Sequence, residues 1–162
     1  MLSNNSEYLS LLKKWEAIQI QAPKVIEAFL EPVEPILQSL NIQYRVETRL
    51  KELSSIWWKM KRKDIVFEKI GDIVGIRLVV TSTEEIQACY QVHSAFTTYY
   101  RSNLQRCKDY IKAPKPNGYA SLHSTFIQNS VPVELQVRNE QMSQVATIGT
   151  ASHEAYKAKR MG

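Results

Sequence analysis

The chain has 162 residues, 44% of them hydrophobic and 23% charged, and this ordinary globular composition predicts one domain around one core over residues 1–162. Its net charge of +5 suits an anionic partner such as a nucleotide, RNA or phosphate, without choosing among them. The two cysteines and the lack of an apolar run of roughly twenty residues exclude a disulfide scaffold, a signal peptide and a membrane partner, which predicts a cytoplasmic protein.

The first part of the chain, residues 1–40, predicts an N-terminal helical segment. Its apolar residues recur at helical spacing: Leu9, Leu12, Trp15 and Ile18. Pro23 suits the first turn of a second helix, which Pro32 and Pro35 then limit. The remaining residues, 41–162, are expected to form the main body of the domain.

Strand and helix patterns alternate through the middle of the chain. Apolar and polar residues alternate over 41–49, which is the period of a half-buried strand, and residues 51–63 return to a helical pattern. The β-branched run DIVGIRLVV, residues 72–80, predicts a central strand. Ser82 and Glu85 have the spacing of a capping box and predict the start of the next helix.

The stretch RCKDYIKAPKPNGYASLH, residues 106–123, combines cations and tyrosines with two prolines and a Pro-Asn-Gly turn, so it cannot be a regular helix. Residues 119–127 and 131–138 predict two strands joined by a short polar turn, a β-hairpin. Residues 140–159 predict a C-terminal helix with Gly149 as a weak point. This order of elements predicts an α+β fold, a mixed β-sheet of about five strands flanked by helices.

A group of cations converges near the first predicted strand. Arg49 and Lys51 are two residues apart at the strand end and point the same way. Lys51, Ser55 and Lys59 form one stripe at four-residue spacing if the helix begins there. The stripe by itself is more typical of a solvated helix face, and it is also compatible with a phosphate-binding surface.

Two carboxylates accompany these cations. Glu134 lies on the polar face of the last strand, and Asp72 begins the β-branched strand. Together they could hold Mg²⁺ with phosphate oxygens completing its shell, or they are two solvated surface acids. Asp72 and Arg77 would face opposite sides of a regular strand, so we expect Gly75 to mark a bulge that realigns them.

Four of these segments, in this order, resemble the synthetase domain of the RelA/SpoT family of (p)ppGpp (alarmone) synthetases. The residues that carry the resemblance are RLKELSSIWWKM, GDIVGIRLVV, RCKDYIKAPKPNGYASLH and VELQVR, and the similarity runs from about Tyr44 to Lys157. The resemblance implies a nucleotidyltransferase-like synthetase fold with residues 41–162 as its catalytic core. It also implies an enzyme of the stringent response that transfers the β,γ-pyrophosphate of ATP to the ribose 3'-OH of GDP or GTP and releases AMP.

The resemblance also implies roles for individual residues. Asp72 and Glu134 would be catalytic and would bind Mg²⁺, and Glu134 is also a candidate base for the 3'-OH. The residues implied for ATP are Arg49 and Arg77, on the adenine, and Lys51, Ser55 and Lys59, on the triphosphate. Tyr119 would stack on guanine. The other residues implied for the acceptor are Lys108, Lys115, Asn117, His123 and Gln136.

Several alternatives remain open at the level of sequence. The chain has no His-Asp metal motif, so we expect no hydrolase activity. It resembles the small single-domain synthetases but ends earlier than they do, which is compatible with a truncated chain; a homo-oligomer is also compatible. One alternative is a toxic relative that modifies tRNA 3' ends or adenosine nucleotides, so that an RNA partner is compatible but not required. The other is a catalytically inactive nucleotide- or RNA-binding module, which the joint presence of both carboxylates and the cations argues against.

Overall fold

The computed structural model of the chain describes residues 2–148. Its helices are α1 (Leu2–Leu30), α2 (Glu34–Ser39), α3 (Leu53–Lys63) and α4 (Ile86–Tyr99). Its strands are β1 (Tyr44–Leu50), β2 (Val74–Val80), β3 (Leu104–Asp109), β4 (Leu122–Gln128) and β5 (Val131–Asn139). The chain is helical again from residue 140 to residue 148, and the remainder of the predicted C-terminal helix, including Gly149, lies outside the described residues.

The five strands form one mixed sheet in the order β1-β2-β5-β4-β3. Strands β2 and β5 pair in parallel, and the other neighbours pair antiparallel. The predicted α+β fold is therefore confirmed. The predicted hairpin of β4 and β5 is also confirmed, and its turn residues Asn129 and Ser130 have φ values of 51° and 66°, as a tight hairpin turn requires.

Strand β3 was not predicted, because its residues include the start of the stretch expected to be irregular. Its side chains are mostly exposed, so β3 has no alternation of apolar and polar residues that would indicate a strand. It lies at the edge of the sheet and pairs with β4 alone. Strand β3 therefore owes its conformation to this pairing rather than to burial of one face.

Two predictions about helix starts are wrong. Pro23 does not begin a second helix but lies inside α1, because residues on both sides of it, such as Leu11 and Phe29, are buried in the core and this packing outweighs the hydrogen bond that proline removes. Ser82 and Glu85 do not form a capping box. The hydroxyl of Ser82 accepts a hydrogen bond from the amide of Gln43 at 3.1 Å, and α4 begins without a side-chain cap.

One face of the sheet is covered by helices and the other is polar. The helix-covered face buries the apolar residues of β2, β4 and β5 against α1, α2 and α4. Helix α3 packs on α1 in a second apolar cluster around Ile56 and Ile73. No helix among residues 2–148 has both the length and the apolar character needed to cross a bilayer.

The polar face carries two straight rows of side chains, because residues that pair directly across strands point to the same face. Each strand contributes one residue to each row. The first row, read from β1 to β3 across the sheet, is Arg49, Gly75, Glu134, Thr125 and Arg106. The second row is Glu47, Arg77, Gln136, His123 and Lys108.

Candidate active site

A cleft of about 410 Å³ opens on the polar face between β1, β2 and β5. The two arginines of the predicted ATP site, Arg49 and Arg77, both line it, together with the carboxylates of Asp72 and Glu134. Gly75 lies between Arg49 and Glu134 in the first row and contributes no side chain. Because glycine has no side chain, there is free space on the floor of the cleft between Arg49 and Glu134.

Asp72 and Arg77 reach the same cleft by a route that the sequence did not predict. The pairing of β2 with β1 and with β5 is regular through Gly75, so the expected bulge at this glycine is wrong. Asp72 instead precedes the first residue of β2. The alternation of a strand does not apply to a residue outside it, and the backbone there is free to turn the carboxylate toward the cleft.

Asp72 is held by two lysines from different segments. Its Oδ2 accepts a hydrogen bond from Lys51 Nζ at 2.9 Å, and its Oδ1 accepts one from Lys59 Nζ at 3.0 Å. Burial alone would raise the pKa of Asp72, but the hydrogen bonds and charges of the two ammonium groups hold it below its ordinary value. Asp72 is therefore ionised at neutral pH, and Lys51 and Lys59 are directed at its carboxylate rather than at solvent. Helix α3 begins at Leu53, so Lys51 precedes it and the expected stripe along one helix does not form.

Glu134, in the first row, accepts the last hydrogen bond of a chain that runs along the second row. Arg77 donates to Glu47 Oε2 and to Gln136 Oε1, both at 3.0 Å, and the Gln136 amide donates to Glu134 Oε1 at 2.8 Å. Burial and the nearby charge of Asp72 raise the pKa of Glu134 above its ordinary value. The two carboxylates of the cleft thus differ, since one is held firmly ionised and the other is shifted toward proton uptake.

A second, smaller pocket of about 120 Å³ adjoins the cleft on the side of β3 and β4. The side chains that line it include Arg106, Lys108, Tyr110, His123 and Glu134. Glu134 therefore lines both cavities. The second pocket is mainly cationic and aromatic apart from this one carboxylate, which is the composition expected for a site that binds a base and phosphates.

The loop between β3 and β4, residues 110–121, contributes Tyr110 to the lining of the second pocket. Its predicted Pro-Asn-Gly turn is present: the Gly118 amide donates to the Lys115 carbonyl at 2.8 Å, and Gly118 has a φ of 86° that favours glycine. Asn117 Oδ1 accepts a hydrogen bond from the Tyr119 amide at 3.0 Å. The turn folds Lys115 back over the ring of Tyr119, with Nζ 5.4 Å from its centroid.

Tyr119 and His123 contact each other, with Tyr119 Oη 2.7 Å from His123 Nε2. Burial and the charges of Lys115, Arg138 and Arg77 lower the pKa of His123 to about 4, so that the ring is neutral at pH 7. Strand alternation over residues 119–127 predicts that Ser121 shares a face with Tyr119 and His123. This prediction is wrong, because Ser121 is buried and donates to the Val137 carbonyl at 3.2 Å. Tyr119 itself precedes β4 and is partly exposed.

The donor set suits a hard divalent cation such as Mg²⁺. Asp72 and Glu134 are carboxylates, the hard oxygen ligands that Mg²⁺ prefers, and they lie near enough for the charge of one to shift the pKa of the other. Within residues 2–148 no cluster of three or more His, Cys, Asp or Glu could hold a metal. Two protein carboxylates leave positions for phosphate oxygens and water, which is the usual way that Mg²⁺ accompanies a nucleotide.

Some residues lie where the sequence analysis did not assign them. Gln136, implied for the acceptor, lines the cleft beside Arg77 and also neighbours His123 in the second row. Ser55 is exposed in the first turn of α3, one turn before Lys59. Charged and aromatic residues without a predicted role also line the two cavities or contact their residues, among them Glu47, Arg106, Tyr110 and Arg138. Glu47 and Arg49 are two residues apart on the predicted strand, so alternation puts them on the same face. This spacing was the one indication in the sequence that Glu47 lies in the cleft beside Arg49.

Comparison with known proteins identifies the family of the chain. Residues 48–161 match a family described as a region found in RelA / SpoT proteins. The bifunctional (p)ppGpp synthase/hydrolase SpoT of Escherichia coli K12 is 42% identical over 135 residues, covering 83% of this chain and 19% of its own length. The GTP pyrophosphokinase of the same strain is 31% identical over 153 residues, covering 94% of this chain and 20% of its own. The chain thus spans about a fifth of these curated relatives.

Solved structures give the same result at the level of fold. The small alarmone synthetase 1 from Bacillus subtilis superposes with a TM-score of 0.71 at 25% identity, covering 89% of this chain and 81% of that one. A GTP pyrophosphokinase family protein from Streptococcus pneumoniae superposes with a TM-score of 0.69, also at 25% identity, covering 91% of this chain and 79% of that one. By its match to the family over residues 48–161, its identity to these relatives and its shared fold, this chain belongs to the RelA/SpoT family.

Proposed function

We propose that the protein is a (p)ppGpp synthetase, which transfers the β,γ-pyrophosphate of ATP to the ribose 3'-OH of GDP or GTP and releases AMP. The observation that carries the proposal is the position of Glu134, which lines both the cleft and the smaller cationic pocket. A group transfer between two nucleotides needs two sites that meet at the reacting atoms. The names of the relatives, a (p)ppGpp synthase, a GTP pyrophosphokinase and a small alarmone synthetase, support the same reaction.

The cleft would bind ATP. Arg49 and Arg77 would lie on the faces of the adenine, since a planar guanidinium stacks well on a planar base. Lys51 and Lys59, with the hydroxyl of Ser55, would bind the triphosphate near Asp72. Mg²⁺ held by Asp72 and Glu134 would neutralise charge on the transferred pyrophosphate.

The smaller pocket would bind the acceptor. Tyr119 would stack on guanine, with Asn117 and His123 as polar partners beside it. Lys108 and Lys115 would offset the charge of the acceptor's phosphates, and Arg106 adds a further cation in the first row. Gln136 would contact the acceptor from the boundary of the two cavities and keeps Glu134 oriented through its amide.

Glu134 would act as the base. Because Glu134 lines both cavities, its carboxylate is suited to accept the proton of the 3'-OH as that oxygen attacks the β-phosphorus of ATP. The new bond joins O3' to the β-phosphorus, and the bond from the β-phosphorus to the oxygen bridging it to the α-phosphorus breaks, so that AMP leaves with that oxygen. The residues around the cleft position the two reactants and offset charge, which is most of what phosphoryl-type transfer requires.

Magnesium, the two nucleotides and a cytoplasmic location complete the proposal. The test is thin-layer chromatography of γ-labelled ATP incubated in turn with GDP, GTP, ATP and deacylated tRNA. We expect label in a guanosine product with GDP or GTP, and none transferred to ATP or tRNA. Label on tRNA or on an adenosine product would instead favour the toxic relatives, and transfer to no acceptor would favour an inactive binding module. Incubating purified ppGpp with the protein tests the expected lack of hydrolase activity.

A further inference from the structure

Tyr90 belongs to none of the motifs that indicated the family, yet it is hydrogen-bonded to the residue that immediately precedes the β3–β4 loop. It lies on α4, on the helix-covered side of the sheet, away from the cleft. Its hydroxyl donates a hydrogen bond of 2.7 Å to Oδ2 of Asp109, the last residue of β3. A hydrogen bond to a carboxylate is among the stronger kinds in proteins.

The other oxygen of Asp109 organises the first turn of the β3–β4 loop. Asp109 Oδ1 accepts hydrogen bonds from the amides of Ile111 and Lys112, both at 2.9 Å. The pKa of Asp109, which burial alone would raise, is lowered by the Lys112 amide, by the Tyr90 hydroxyl and by the Ile111 amide. One carboxylate thus joins α4, the end of β3 and the start of the loop.

The direction in which Asp109 points follows from the register of β3. Lys108 pairs with His123 on the polar face, so Asp109, the next residue, points to the helix-covered face, where Tyr90 lies. The chain must then return to the polar face to bring Tyr110 into the second pocket. The hydrogen bonds of Asp109 to the Ile111 and Lys112 amides fix the backbone where the chain crosses from the helix-covered face to the polar face.

The β3–β4 loop carries side chains proposed to bind the acceptor, and these side chains contact one another. Lys115 Nζ lies 4.9 Å from the centroid of the Tyr110 ring, and Tyr110 contacts the rings of Tyr119 and His123 edge to face. The base of the loop is closed by a hydrogen bond from the Tyr110 amide to the Ser121 carbonyl. A change in the direction of the first turn therefore moves the residues proposed to bind the acceptor as a group.

We propose that Tyr90 is a positioning residue for the acceptor nucleotide: by holding the Asp109 carboxylate, it sets the conformation of the β3–β4 loop in which Lys115, Asn117 and Tyr119 meet the acceptor. The identity of the acceptor as GDP or GTP rests on the proposed function above. Tyr90 touches neither cavity, so its effect on the acceptor passes through Asp109.

The test compares Tyr90→Phe with Tyr100→Phe. The second variant is a matched control, because Tyr100 lies just after α4 and its hydroxyl donates to the Phe29 carbonyl at 2.8 Å, away from the loop. We expect Tyr90→Phe to raise the KM for the guanosine acceptor about five- to tenfold while kcat and the affinity for a non-hydrolysable ATP analogue change less than about twofold. Tyr100→Phe should lower the melting temperature and leave the acceptor KM unchanged.

Amide hydrogen exchange provides a readout that does not depend on activity. Residues 110–118 should exchange faster in Tyr90→Phe than in the wild-type protein or in Tyr100→Phe. The proposal is overturned if loop exchange is unchanged, or if exchange rises and the acceptor KM does not. A wild-type protein that forms no guanosine product contradicts the proposed function, whereas the exchange measurement still decides whether Tyr90 holds the loop.

Discussion

Gly75 lies directly opposite Glu134 in the parallel pairing of β2 and β5, and on its other side it pairs with Arg49 of β1. A residue with no side chain thus separates a guanidinium from a carboxylate on the floor of the cleft. A Cβ at this position would meet the Arg49 carbonyl at 3.6 Å and Arg49 Cβ at 3.9 Å, which are ordinary contacts. The protein itself has room for a side chain here, so the space is available for a ligand.

Replacing this glycine tests whether the cleft binds ATP. Gly75→Val should fold with a melting temperature close to that of the wild type, because valine favours strands and its Cβ meets only ordinary contacts. Its methyl groups would fill the cleft floor, and we expect the affinity for an ATP analogue to fall about tenfold or more. Calorimetric titration measures this, and Gly75→Ala should give a smaller loss. Unchanged ATP binding in Gly75→Val would mean that ATP binds elsewhere.

Asp72 and Glu134 are predicted to be needed for metal binding and for the reaction. Asp72→Asn and Glu134→Gln should fold and should lose pyrophosphate transfer by several orders of magnitude, because charge neutralisation dominates this type of barrier. Binding of Mn²⁺ in the presence of an ATP analogue, followed by electron paramagnetic resonance, should weaken in both variants. Glu47→Gln is the matched control, since Glu47 lines the same cleft but is bonded to Arg77. Normal turnover in either carboxylate variant would contradict the assignment.

Tyr119 is predicted to stack on the guanine of the acceptor. Because its ring is only partly buried, Tyr119→Ala should change the melting temperature little, while losing the stack should weaken acceptor binding about tenfold or more. Tyr119→Phe keeps the ring and loses hydrogen bonds of the hydroxyl, including the one to His123, so acceptor affinity should stay within about threefold of the wild type. Calorimetry with GDP and thermal melting distinguish the two effects. An unfolded Tyr119→Ala would instead indicate a core residue.

The lowered pKa of His123 predicts that the folded protein loses stability in mild acid. Its pKa is about 4 in the folded protein and 6.5 in the unfolded chain, so the unfolded chain binds more protons between these values. The free energy of unfolding should therefore fall as the pH decreases from about 7 to about 5, and His123→Gln should reduce that slope. The pKa of buried His93 is lowered as well, so part of the slope should remain. Melting temperatures across this range measure the effect, and an identical slope in His123→Gln would refute it.

Local patterns in the sequence were enough to predict much of the fold and part of the site. The alternation in β5 put Glu134 and Gln136 on the polar face, because a strand's side chains point to opposite faces with a period of two. The Pro-Asn-Gly turn was likewise predictable, since glycine accepts the positive φ that this turn needs. In both cases, the information lies within a few neighbouring residues, and local geometry determines the result.

Only the tertiary structure decided which of these residues meet. The pairing of β2 with β5 joins segments far apart in the chain, and it alone brings Gly75 beside Glu134 and Arg77 beside Gln136. Asp72 shares the cleft because it precedes β2, not because of a bulge, and Tyr90 reaches Asp109 across 19 residues of sequence. Register and long-range packing depend on the free energy of the whole sheet and its core, which no local period in the sequence encodes.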